Sequence, residues 1–189
     1  KPNFSQGESM PMFFSSETAF LRAEGALRGW NMGGTAQELY EQGVTLSFTE
    51  RGVSGVGKYL SDNTSTPEDY TSPVESSRLS YQVQTEITVA WEESAPFEEK
   101  LERIITQKWI ANFPLGFEAW SDYRRTGYPE IFPVVDNLSN GVISTSRQQR
   151  RLPFPLKEKQ ANSENVKAAV SMLGGSDTGA TDLWWAKKN

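Results

Sequence analysis

Cysteine and histidine are both absent from this chain of 189 residues. Without cysteine there is no disulfide, no thiolate nucleophile and no zinc–sulfur site. Without histidine there is no Ser-His-Asp or Cys-His catalysis, and the commonest transition-metal ligand is gone. No apolar run approaches the roughly 20 residues of a membrane span. The opening KPNFSQGESMPMFF lacks the apolar core and the small-residue cleavage site of a signal peptide. The expectation is that the protein stays inside the cell, or that its N-terminal part is not in this chain. Positive charge is also short: 19 Lys and Arg against 24 Asp and Glu give a net charge of −5. That argues against nucleic acid as a partner, because phosphate binding needs a concentrated positive surface. Carboxylate chemistry, calcium or magnesium binding, or no chemistry at all remain open.

What is present is a globular composition, 37% hydrophobic and 12% aromatic, long enough to bury a core. Pro2 and Pro11 keep residues 1–14 extended. From a cap at Ser16, Phe20, Ala23, Leu27 and Trp30 form one stripe of a helix that Gly33-Gly34 breaks. Thr35-Ala-Gln-Glu38 has the form of a capping box. The helix it opens carries Ala36, Leu39, Tyr40, Gly43, Val44 and Ser47 on one face, half of them small. Small residues allow close approach, so 16–48 is expected to be a tight antiparallel helical hairpin, the unit of TPR-like solenoids. Residues 52–78 are expected to form a long surface loop, and 79–91, where Leu79, Tyr81, Val83, Thr85, Ile87, Val89 and Trp91 alternate with more polar residues, a strand. After Pro96, Phe97, Leu101, Ile104, Ile105, Trp109 and Phe113 make a wide apolar face up to Pro114. A further helix from Phe117 to Thr126, closed by Gly127, should complete a second helix pair. Asn140-Gly141 signals a hairpin turn. Asn162 caps a last helix that ends at Gly174, and Trp184-Trp185 is expected to dock on the body. The fold class is therefore mainly α, with TPR-like helical hairpins, a small β-hairpin and long loops.

Little of this carries chemistry. Glu92-Glu93 and Glu98-Glu99 are carboxylates suited by type to a hydrolase, yet neighbours on a helix point to different faces. Asp136 to Gly141 resembles the start of a calcium loop, but Leu138 and Arg147 stand where ligands are needed, so the turn reading prevails. Gly52-Val-Ser-Gly-Val-Gly57 departs from the dinucleotide fingerprint. Sequons occur at Asn3, Asn63 and Asn137. Arg124-Arg125 and Arg150-Arg151 are expected to pair with carboxylates such as Asp122 and Glu118, or to cap carbonyls. Aromatic rings can stack on sugars, and Tyr59 and Tyr70, in the polar 52–78 segment, are the candidates for ligand binding. No catalytic residue, metal ligand or cofactor is assigned.

Several long motifs, in order, make a resemblance specific. ITQKWIANFPLGFEAWSDYRRTGYP at 105–129, RRLPFP at 150–155, the asparagine-rich helix start at 162–165 and the closing GG-x-D…LWW-x-K at 174–187 resemble the C-terminal region of the SusD/RagB family. So does the opening helix SSETAFLRAEGALRGW; only 52–78 shows no match. The resemblance implies a helical, TPR-like, non-enzymatic lipoprotein at the outer surface of Bacteroidetes. It implies a glycan or peptide ligand, handed to a TonB-dependent transporter of the SusC type. Members are about twice this length and begin with a signal peptide and an acylated cysteine. The chain is thus expected to be one domain over 1–189 or the C-terminal part of a larger SusD-like protein, with the lipid anchor elsewhere. The alternative is a TPR-like protein-interaction scaffold with no sugar ligand.

Overall fold

The computed structural model describes residues 11–186. Pro2, Asn3 and Lys187 lie outside that range. The helices are α1 (Ser15–Leu27), α2 (Ala36–Glu50), α3 (Val56–Leu60), α4 (Ser76–Leu79), α5 (Phe97–Ala111), α6 (Gly116–Thr126), α7 (Leu156–Ala161) and α8 (Ser163–Leu173), then a 3-10 turn at Trp184–Ala186. Two compact units share them: residues 1–67 with 85–120, and residues 68–84 with 121–189. Among the described residues no strand forms; there are two isolated bridges, Tyr70 to Tyr81 and Ser144 to Gln148.

In the first unit α1 and α2 form the expected hairpin. Thr35 accepts from the Glu38 amide while the Glu38 carboxylate accepts from Thr35, so the capping box is complete. Gly43 lets the two helices approach closely. A Cβ there would stand 2.8 Å from the Phe20 ring. Ser16 is not the cap expected: Phe14 holds the N-cap position without a side-chain bond, and the Ser16 amide and hydroxyl, within the first turn, both donate to the Glu50 carboxylate, at 3.1 and 2.7 Å. The end of α2 thereby caps the start of α1. Phe20, Ala23, Leu39, Tyr40, Val44, Ile104 and Ala111 form the core.

Several expectations are corrected. Trp30 is not in α1: Gly29 turns left-handed (φ 82°) and the Trp30 amide returns to the Gly25 carbonyl. That is a Schellman ending, and it leaves the indole exposed. The strand at 79–91 does not form. Leu79 ends α4, Tyr81 makes an isolated bridge to Tyr70, and the backbone from Val83 on bonds mainly to side chains rather than to a neighbouring strand. Asp69 and Glu130 accept from the amides of Val83 and Gln84, while Tyr40 and Arg103 donate to the carbonyls of Val89 and Thr88. The second helix pair is not formed either: α5 packs on α1 and α2, and the boundary between the units falls within α6. The inward stripe of α5 is Leu101, Ile104, Ile105, Lys108 and Ala111. Trp109 lies off its centre and is 46% exposed, with Phe113 beyond it also exposed. The 52–78 segment is not bare loop, since Val56, Tyr59 and Leu60 of α3 pack against the core.

The second unit is held mainly by loops. Asn140 and Gly141 both have positive φ (52° and 86°), as the turn signal requires. The limbs, however, exchange one backbone bond, Val134 to Thr145, rather than forming a hairpin ladder. Arg150 and Arg151 are buried and pair with Asp182 and Asp177, at 2.8 and 2.6 Å. Arg125 pairs with Asp122, as expected, at 3.0 Å. Gly174 ends α8 in the left-handed region. The tail docks by half: Trp185 lies under the Arg124 guanidinium, 4.9 Å away, whereas Trp184 is 84% exposed.

Candidate functional site

Tyr59 stands on α3, whose start is set by Gly55 at φ 92°. The first unit opens there into a cleft of about 710 Å³, lined among others by Phe48, Lys58, Tyr59, Asp62 and Asn63. Tyr59 is half-buried rather than exposed. Its ring lies 5.2 Å from that of Phe48, and its hydroxyl donates to Gln107 Oε1 at 3.0 Å. The phenol is thus fixed in orientation. Asp62 accepts from the Ser65 amide at 2.9 Å and from the amide and hydroxyl of Thr64 at 3.1 Å. These bonds, the Ser65 amide foremost, hold its carboxyl well below the usual range. The cleft therefore joins an apolar aromatic wall to an ammonium, a carboxylate and an amide. That pairing suits a polyhydroxylated ligand with one apolar face.

Tyr70 belongs to the second unit, so the two candidates fall in different units. It stacks on Phe132 at 5.0 Å, and the two rings are 40% and 45% exposed. Tyr81 closes the cluster from 5.3 Å, tied to Tyr70 by paired backbone bonds of 2.9 Å. Its hydroxyl donates to the Glu130 carboxylate, which pushes its pKa up to about 12. The result is a fixed aromatic platform.

Sequence reasoning missed Phe48, Asp62 and Phe132. Phe48 falls outside the apolar stripe read for the second helix, and Phe132 lies in no motif the sequence singles out. The Asp62-Asn-Thr-Ser65 turn signal was legible but not connected to Tyr59. Asn137 is committed to its own turn, donating to the Ile143 carbonyl at 2.8 Å and accepting from the Ser139 amide. Among the described residues no group of three acidic or other ligating side chains could hold a metal. No helix of the described residues is long and apolar enough to cross a membrane.

A family described as SusD-like, "Susd and RagB outer membrane lipoprotein", matches residues 1–186. This chain belongs to the SusD/RagB family. Among solved structures it is similar to a chitin-binding SusD homolog from Flavobacterium johnsoniae, with 55% identity and a TM-score of 0.83. That match covers 92% of this chain and 36% of the relative. A SusD-like protein from Bacteroides thetaiotaomicron shares 51% identity at a TM-score of 0.86, covering 95% of this chain and 37% of the other. A SusD homolog from Bacteroides uniformis shares 49% at 0.89, covering 98% and 39%. The chain thus spans less than two fifths of the length of these SusD-like relatives. No curated protein matches.

Proposed function

We propose that the chain works within a longer SusD-like surface lipoprotein that captures an oligosaccharide and passes it to a SusC-type TonB-dependent transporter. The observation that carries this reading is the family match over 1–186, together with a chitin-binding relative at 55% identity. The Tyr59 cleft and the Tyr70–Phe132 platform are where a sugar would lie. In the cleft, C–H faces of pyranose rings would meet aromatic rings while hydroxyls bond to Asp62 and Asn63. The reading includes no catalytic step, and the lipid anchor belongs to the N-terminal part of the longer protein. A glycan array on the intact chain tests it, with chito-oligosaccharides as the first ligand class. Binding that falls on Tyr59→Ala or Tyr70→Ala is the expected result. No saccharide bound, with transporter capture retained, sinks it.

A protein-docking scaffold is the second reading. It is favoured by Trp109, Ile110, Phe113 and Phe117, exposed apolar residues close together in sequence around the α5–α6 corner. Such residues suit a protein partner better than a sugar.

A further inference from the structure

The second unit holds a pocket of about 480 Å³ that the reading above does not use. Its wall carries four guanidinium groups, from Arg124, Arg125, Arg147 and Arg150, and a single carboxylate, Asp182. In a chain of net charge −5 this is a local reversal of sign. The last turn of α6 supplies Arg124 and Arg125, and the turn closed by the Ser144–Gln148 bridge supplies Arg147. Arg150 is buried and fixed: its Nε donates to Asp182 at 2.8 Å, and its two terminal nitrogens donate to the carbonyls of Tyr123 and Arg124. Arg147 differs. Its side chain is 52% exposed, and it shares the Asp182 carboxylate that Arg150 already occupies. Its Nε and other terminal nitrogen have no acceptor among the described residues. One carboxylate thus serves two arginines, Arg150 through Oδ1 and Arg147 through Oδ2, so positive charge is in excess on this wall. The crowding of like charge also shows at Arg124, where burial and then the Arg150 charge push the guanidinium pKa down.

We propose that this pocket binds an oxyanion substituent, a carboxylate or sulfate ester, carried on a saccharide. Planar guanidinium groups match such oxyanions in two-point contact, and a half-exposed Arg147 beside a rigid Arg150 supplies donors that need no rearrangement. The pocket has room for one or two sugar rings. The proposal rests on the saccharide reading only for the body of the ligand, not for its charge.

Calorimetric titration of the whole chain tests it, using trigalacturonate, its methyl ester, a sulfated galactose disaccharide and a chito-oligosaccharide. The free acid or the sulfate ester should bind, more weakly as salt rises, and the methyl ester should not. Arg147→Gln should weaken the charged ligand by about tenfold or more, one charge-assisted bond being lost. Arg147→Glu should remove binding, and both variants should keep their thermal midpoint and their chito-oligosaccharide affinity. Which acid binds identifies the source of the oxyanion. Equal binding of acid and ester, no binding of either charged saccharide, or full affinity in Arg147→Gln overturns the proposal. The ester comparison needs no variant. Charged ligand bound without chito-oligosaccharide would leave the proposal standing and count against a neutral sugar in the Tyr59 cleft.

Discussion

Lys108 occupies the centre of the buried stripe of α5 and meets Glu17 of α1 at 3.4 Å, both side chains only 2% exposed. Neither belongs to an apolar stripe of the sequence, and period and propensity say nothing about which face a neighbouring helix covers. The pair was therefore not legible. Lys108→Met leaves a buried carboxylate without its cation and should cost about 3–5 kcal/mol in chemical denaturation. Adding Glu17→Gln should restore much of that loss, and a double variant no better than the single one refutes the pairing. Burial raises the Glu17 pKa, with Lys108 opposing it. A raised carboxyl favours the protonated folded state. Its contribution to stability therefore grows as pH falls through the folded pKa, and is complete below the unfolded value near 4.3. Asp177 has the opposite sign. Burial would raise it, but hydrogen bonds from Lys159, Arg151 and the Phe154 amide hold it at about 2. Its contribution is full above an unfolded pKa near 3.9 and is lost as pH falls toward the folded value. Asp177→Asn should cost roughly 1.5–3 kcal/mol at pH 7 and flatten the acid limb of the melting profile between about pH 4 and pH 2. A variant that keeps the wild-type slope there contradicts the assignment.

At the scale of elements, the α1–α2 hairpin was the most legible feature. A capping box fixes a helix start by local chemistry, and a stripe containing Gly43 fixes a close approach. Gly43→Ala should lower stability by about 1–3 kcal/mol, because its methyl group would meet the ring of a fully buried Phe20. Gly25→Ala is the contrasting case: its Cβ would meet the Met32 thioether at 2.8–2.9 Å, the end of a flexible chain. Thermal melts should show Gly43→Ala clearly the worse; the reverse order would mean that the hairpin is not packed through Gly43. The strand at 79–91 failed for a related reason. Alternation shows that a segment is extended but not that a partner strand lies beside it. Here Glu130, Asp69, Tyr40 and Arg103 supply the missing partners from distant parts of the sequence.

For the molecule as a whole, motifs spread over most of the chain were enough for the family, but not for the site. Tyr59 and Tyr70 were found as aromatics in a polar segment, whereas Phe48 and Phe132 join them only through the fold. The wide apolar face that the sequence shows from Phe97 to Phe113 is covered only in part. Leu101, Ile104 and Ile105 are covered, while Trp109, Ile110, Phe113 and Phe117 face solvent, Phe117 at 84% exposure. Exposed apolar side chains attract their own kind, so the chain in isolation should bind a hydrophobic dye and self-associate at high concentration. Phe117→Glu should reduce both. It should leave stability within about 0.5 kcal/mol, as expected for an exposed substitution outside the core. Sedimentation and dye titration on the two proteins decide the point. If Phe117→Glu instead unfolds the chain, the ring is buried in solution and the corner is part of the core; if it unfolds nothing and changes neither readout, the apolar corner is not a contact surface.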